Sequence, residues 1–311
     1  MTKFKKIGAV GLLLIGASTG AILAEGAAKT AGQSGHASTP SVSVGAQYDT
    51  THVYVDPKLI DKFVASFLGT FGGKSTKQAL VTVTPTASST SSQLLQTPVG
   101  TVSLFGFRTP IPYPFGSERY GYLVKDLDST VAAARADGAG VVVSPFKDPI
   151  GRDAIVQWPG GLVMQLYWHT AAPSYAPFQT VPDHRIYLCQ EVEAKFVQDF
   201  LAFSNGIVLT DDLRAPGAGI GRPEETYHRI RIKSGFGNLL ILVTDGHLPY
   251  PYGRETTGYG VVNLRASLAT AHRLGVKVLV QPYLAGDREE AIVEFPGGYI
   301  AEMHARLTRK P

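Results

Sequence analysis

The residues best suited to holding a small molecule lie in two Pro-aromatic passages. "IPYPFGSERYGYLVKDL" (Ile111–Leu127) carries Tyr113 and Phe115, and "LPYPYGRETTGYGVVNL" (Leu248–Leu264) carries Tyr250 and Tyr252. Proline stiffens the backbone and lowers the entropy lost on binding, while the aromatic faces supply large apolar contact. The same side chains are equally suited to plugging a core or an internal interface. A third candidate is Tyr167 in "QLYWH". Strand alternation puts it on the face of Gln165, as a pocket hydrogen-bond donor, with Trp168 packing on the other side. Nucleophilic chemistry finds little support. "GASTG" (Gly16–Gly20) matches a nucleophile elbow but falls in an apolar leader. "GAGIG" (Gly217–Gly221) lies between two strand-like runs, without the strand-to-helix context of a phosphate loop, and reads as a flexible loop. The single cysteine, Cys189, permits no internal disulfide, and its apolar neighbours favour a packed thiol. "DREEAIVE" (Asp287–Glu294) reads as a solvated acidic face.

The elements that must position these residues recur. The two passages stand 137 residues apart (248 − 111), and the offset continues without gaps through "AIVQWPGG" (Ala154–Gly161) and "AIVEFPGG" (Ala291–Gly298). Upstream it becomes 133 (195 − 62), pairing "KFVASFL" (Lys62–Leu68) with "KFVQDFL" (Lys195–Leu201). The difference is a loop-length change, and the Ser/Thr-rich "TASSTSSQ" reads as the hairpin tip that absorbs it. Two homologous units follow, 48–170 and 182–307, joined by a Pro-rich linker at 171–181. Within the first, "THVYV" alternates like a strand, a helix runs from Pro57 to about Leu68, and "QALVTVT", "SQLLQT" and "TVSLFGF" read as strands. The pattern then repeats, with "YGYLVKD" as a strand, Asp126 or Asp128 capping a helix that closes at Gly138, and "GVVVSPF", "RDAIVQW" and "LVMQLYW" as strands. The order is βαβββ, twice per unit and four times in the chain. The quoted passages are the crossovers between the halves of each unit.

The first 28 residues read as a signal peptide. Lys3, Lys5 and Lys6 form a charged n-region, Ile7 to Ala24 an apolar h-region, and Gly26 and Ala28 fit a cleavage site. The alternative is a retained N-terminal membrane anchor. Residues 29–47 are small and polar and read as a flexible linker. Export through this signal implies a periplasmic or secreted protein with no stable membrane insertion after its removal. The net charge of +4 falls to about +2 once Lys3, Lys5, Lys6 and Glu25 are removed, and no basic block with interleaved aromatics exists, so nucleic acid is not an expected partner.

The order βαβββ, together with "YLVKDLDSTVAAARADGAGVVVSPFKDPIGRDAIVQWPGGLVMQLYWH" (Tyr122–His169) and "YGVVNLRASLATAHRLGVKVLVQPYLAGDREEAIVEFPGGYIAEMHA" (Tyr259–Ala305), resembles the vicinal oxygen chelate superfamily, the group of glyoxalases, bleomycin-resistance proteins and extradiol dioxygenases. The resemblance implies an α+β fold of two tandem glyoxalase-like domains. Each would be a pair of βαβββ modules forming a curved, open eight-stranded barrel, and the two would pack as an intrachain pseudo-dimer; homodimerisation stays open. It implies a ligand pocket on each concave side. The enzymes of the group bind a divalent metal there through His, Glu or Gln of a module's first strand and Glu of its last. The last-strand slot falls on Glu302 in "PGGYIAEMH" and on Gln165 in "PGGLVMQLY". The crossover slot falls on Arg119 and Thr256, neither a usual ligand, and Arg119 is grouped instead with the ligand-contacting aromatics. The first strand has two registers, and one residue flips the face. One selects His184 and Thr51; the other selects His52 and Arg185 and sends Val53, Val55, Ile186 and Leu188 to the core.

Two functions remain open on the sequence. One is a metal-dependent lyase or oxidoreductase acting on a small organic molecule, with one divalent metal (Zn, Ni, Mn or Fe) held by His184 and Glu302 and with Glu302 as catalytic base. The other is a metal-free small-molecule-binding protein. His52 and Gln165 are the equivalents of the metal pair in the first unit.

Overall fold

The computed structural model describes residues 41–175 and 177–307. The expected signal segment and most of the 29–47 linker lie outside the described residues. The first sheet comprises β1 (Thr50–Tyr54), β2 (Lys74–Ser75), β3 (Ala79–Val81), β4 (Thr90–Thr97), β5 (Gly100–Phe107), β6 (Tyr120–Leu123), β7 (Gly140–Lys147), β8 (Gly151–Gln157) and β9 (Val163–His169). Its order is β2-β4-β5-β1-β6-β9-β8-β7, with β3 also on β4. The second comprises β10 (Asp183–Leu188), β11 (Ile207–Pro216), β12 (Thr226–Ser234), β13 (Gly237–Val243), β14 (Thr256–Gly260), β15 (Lys277–Leu284), β16 (Arg288–Phe295) and β17 (Tyr299–Arg306). Its order is β11-β12-β13-β10-β14-β17-β16-β15, the same topology. In each sheet the two modules meet where their first strands pair antiparallel, β1 with β6 and β10 with β14. The fold is thus α+β, with two sheets each built from two βαβββ modules.

Four helices follow the four first strands: α1 (Ile60–Phe71), α2 (Leu127–Ala136), α3 (Gln190–Ser204) and α4 (Leu264–Arg273). Local chemistry sets their starts. The Asp126 carboxylate accepts from the Ser129 amide at 2.7 Å, and the Asn263 side chain accepts from the Ala266 amide at 3.0 Å. These caps satisfy amides that have no partner inside the helix. Two local expectations shift. Pro57 opens a single 3-10 turn, and α1 begins only at Ile60. The expected strand "QALVTVT" shortens to β3, because this edge pairs with β4 over only Ala79–Val81.

The helices lie between the two sheets, and the cores cross from one unit to the other. Phe63, Phe67 and Phe71 of α1 share a core with Tyr259, Phe295 and Met303 of the second sheet. Phe196, Phe200 and Phe203 of α3 share one with Trp158, Met164 and Leu166 of the first. The Phe67 ring lies 5.2 Å from Phe295, and Trp158 lies 5.7 Å from Phe200 and 5.2 Å from Phe203. The repeat offsets pair Phe67 with Phe200 and Trp158 with Phe295. The two contacts are therefore copies of one interaction in swapped roles. Each sheet keeps its opposite, concave face for other uses.

Candidate functional site

Alternation along the first strands decides which side chains reach the concave faces. Ile186 and Leu188 join the inter-unit core with α3, and Val53 and Val55 join the one with α1. Their strand neighbours Asp183, Arg185 and Tyr187, and in the first unit His52 and Tyr54, are therefore turned to the concave sides. This is the register that selects His52 and Arg185. His184 faces the other way. Its ring stacks on Tyr120 of the first sheet at 4.1 Å, its Nδ1 is hydrogen-bonded to the Tyr122 hydroxyl at 2.7 Å, and its Nε2 is hydrogen-bonded to the Glu255 carboxylate at 2.5 Å. The structure does not bring His184 and Glu302 together: they occupy opposite faces of the second sheet. His184 is a buried inter-unit contact.

The centre of the second concave face is a guanidinium. Arg185 is 1% exposed and Glu302 is 1% exposed. The Arg185 Nη1 lies 3.2 Å from Glu290 and 3.5 Å from Glu302. Arg288 extends the network, donating to Asp183 at 2.8 Å and standing 3.5 Å from Glu290. The Tyr283 hydroxyl donates to Glu290 at 3.0 Å, and the His304 Nδ1 lies 3.0 Å from Glu302. Burial pushes the Glu290 carboxyl up, but the Arg185 and Arg288 guanidiniums outweigh it and hold the group below its ordinary 4.5. Burial alone would weaken the Arg185 charge; Glu290 and Glu302 reverse that and raise its pKa well above that of an ordinary guanidinium. Gly258 lets the cluster close, because a Cβ there would collide with the Glu302 carboxylate.

The sequence reading missed most of this cluster. "DREEAIVE" is not a uniformly solvated face: Arg288 and Glu290 are buried, whereas Asp287 is exposed and Glu289 and Glu294 are half-buried. The available signal was the repeat itself. Glu290 stands 137 residues after Asp153, and that position is a buried acid in both units. Cys189 is exposed instead of packed, because β10 ends at Leu188 and Cys189 occupies the N-cap of α3 beyond the sheet.

The two Pro-aromatic loops each contain a cis peptide before the second proline, Tyr113–Pro114 and Tyr250–Pro251. Each splits its aromatics. Tyr113 is 75% exposed and Tyr250 is 61% exposed, whereas Phe115 is buried and Tyr252 half-buried. Phe115 packs with Ile155 and Val163 on the concave side of the first sheet. Tyr252 donates to the Ala218 carbonyl at 3.2 Å, and burial pushes its hydroxyl up to about 12. "GAGIG" is a tight 3-10 turn rather than a flexible loop. It needs its glycines, since a Cβ on Gly221, at φ 75°, would stand 2.6 Å from the Tyr252 ring.

The first concave face is filled by its own side chains. His52 Nδ1 lies 3.3 Å from the fully buried Glu118, and the Tyr54 hydroxyl donates to the same carboxylate. Gln165 donates to Asp153 at 2.9 Å, and the Tyr167 hydroxyl donates to the Tyr48 carbonyl. Burial, then the charge of Asp148, raises the Asp153 pKa well above 3.8. Arg119 folds back on its own loop and donates to the Gly116 carbonyl at 2.5 Å. His52 and Gln165 are thus tied to separate acids.

These donors do not fit a divalent metal. Three or more convergent ligands are required, and among the described residues no group of three His, Cys, Asp or Glu side chains converges. The second site offers one open acceptor, the buried and unpartnered Oε1 of Glu302, beside a guanidinium that already supplies a positive charge. In the first unit the crossover slot is an arginine, and His52 is engaged with Glu118.

No protein-family model matches the sequence, and no curated protein matches it. Solved structures do resemble the fold. A variant of 4-hydroxymandelate synthase from Streptomyces coelicolor superposes with a TM-score of 0.60 at 12% identity, covering 87% of this chain and 94% of that one. A xylose isomerase-like TIM barrel/4-hydroxyphenylpyruvate dioxygenase fusion protein superposes with a TM-score of 0.51 at 14% identity, over 88% of this chain and 51% of that one. At these identities the likeness establishes the fold: the chain has the vicinal oxygen chelate fold in its tandem, two-unit form.

Proposed function

We propose that this protein binds a small organic molecule on the concave side of its second unit and does so without a resident metal. The observation that supports this reading most is the Arg185 guanidinium, 3.2 Å from Glu290 and 3.5 Å from Glu302 at the centre of that face. A fixed side-chain cation there neutralises the carboxylates that a metal would need, and a second cation beside it would be repelled. The first unit, its concavity filled by Phe115 and by the tethered His52 and Gln165, serves as the structural partner that supports the second. The charged and apolar leader in residues 1–28 supports action outside the cytoplasm, free or N-terminally anchored. Among the described residues no helix is long and apolar enough to cross a membrane.

The competing reading is metal-dependent lyase or oxidoreductase chemistry, as performed by metal enzymes that share this fold. Elemental mass spectrometry of the full chain, purified without chelators, separates the two. Less than about 0.1 metal per chain, before and after dialysis against Zn, Mn, Ni and Fe(II), is expected. Close to one metal per chain, lost in Glu302→Gln, would overturn the metal-free assignment and return Glu302 to the role of ligand.

A further inference from the structure

The second unit opens into a cleft of about 1040 Å³ where the end of α1, the β4–β5 turn, the linker at 179–181 and the second sheet meet. That volume is at the upper end for small-molecule sites. Its charge is one-sided. Arg231, Lys233, Arg288 and Arg306 line it against only Asp183 and Asp287. Asp183 is already engaged: Arg288 donates to it at 2.8 Å and Asn238 at 3.2 Å. Arg231 reaches the same carboxylate only at 3.9 Å, and its Nη2 is buried with no hydrogen-bond partner. A buried donor left unpaired costs roughly 1–3 kcal/mol, more when charged. Arg288 holds Asp183 at 2.8 Å and also faces Glu290, so Arg231 is left with a distant share of Asp183 and an open donor. Apolar side chains also line it: Phe71, Val99, Leu239, Val261 and Leu240, the cross-strand neighbour of Arg231.

We propose that this cleft binds an organic anion with an apolar body, its acidic group received by Arg231 with support from Arg288, Lys233 and Arg306 and its body lying against the apolar side chains that line the cleft, Leu240 beside Arg231 among them. Arg231 is the specificity-determining residue, because it alone of the four offers a buried, unsatisfied donor. This inference rests on the reading that the second unit is the binding unit. It is tested independently of metal content, so the two can fail separately.

The probe is 2-naphthoate, compared with uncharged 2-naphthol of the same ring, measured by isothermal calorimetry on the full chain. The expected result is saturable one-site naphthoate binding that is at least about tenfold tighter than naphthol binding, and about tenfold weaker in Arg231→Gln, the equivalent of one charged hydrogen bond. The exposed pair Lys233→Ala with Arg306→Ala keeps the test available if Arg231→Gln does not fold; it is expected to weaken naphthoate several-fold and leave naphthol unchanged. Equal binding of naphthoate and naphthol, no saturable naphthoate binding at millimolar concentration, or undiminished naphthoate affinity in the folded variants would overturn the proposal.

Discussion

Arg185→Met is the most informative single change. Methionine follows much of the arginine's path and removes its charge. Glu290 and Glu302, both almost fully buried, would then keep only weaker partners: Arg288 at 3.5 Å and Tyr283 at 3.0 Å for Glu290, and His304 at 3.0 Å for Glu302. Breaking a buried ion pair by removing one partner costs about 3–5 kcal/mol, because a charge stays behind without compensation. The remaining partners put the expected loss near the lower end, about 3 kcal/mol. In a protein of this size that lowers Tm by about 6–12 °C. The pH dependence carries the argument. Glu290 has a depressed pKa, so it stabilises the wild type above its ordinary 4.5, and that contribution is lost as pH falls through the depressed value. Without Arg185 its pKa would rise, and the variant would lose stability as pH climbs. The gap between wild type and variant should therefore be widest at pH 7–8 and shrink below about pH 5. Urea melts of both proteins at pH 4 and 8 measure this. Adding Glu290→Gln and Glu302→Gln should recover most of the loss, since a neutral replacement of the whole cluster strands no charge. A loss below about 1 kcal/mol, or one equal at both pH values, would refute the view that Arg185 is the counter-ion of this face.

Further outcomes follow from burial. Asp49 is buried with neither carboxylate oxygen in a well-formed hydrogen bond, and burial raises its pKa well above 3.8. A raised carboxyl contributes stability that fades as pH climbs from that ordinary value, so Asp49→Asn should gain about 1 kcal/mol or more at pH 7 and less at pH 4, read from urea midpoints. Phe115→Ala should cost about 3–5 kcal/mol, whereas exposed Tyr113→Ala should cost under about 0.5 kcal/mol; equal losses in denaturant melts would mean that the loop does not plug the first concavity. Trp158→Ala should destabilise by about 3–5 kcal/mol and, because Trp158 packs on α3, expose the α3 amides to hydrogen exchange as well as those of β8; protection lost only in the first sheet would contradict the shared core.

Much of the fold was legible because its signals are local and repeated. The offsets of 137 and 133 residues and the strand alternation express short-range physics that recurs, and of the two expected caps, Asp126 or Asp128, it is Asp126 that caps α2. The site was less legible. Residues 184 and 185 are adjacent, and a one-residue choice of register exchanged an inter-unit histidine for a buried arginine. The apolar pattern did favour the correct register, since it sent Ile186 and Leu188 inward.

The sequence by itself determined the repeat and the module order, because these follow from periodicity and spacing along one chain; the slots where a metal would be held came from the resemblance to the vicinal oxygen chelate group. Only the tertiary structure decided what fills those slots. Arg185 meets Glu290 across 105 residues, Arg288 meets Asp183 across 105, and Arg231 is left beside an acid already taken. Whether a buried charge is a ligand, a counter-ion or an open donor depends on which charges the curled sheet brings within about 4 Å. Nothing in the linear spacing of these residues encodes that distance.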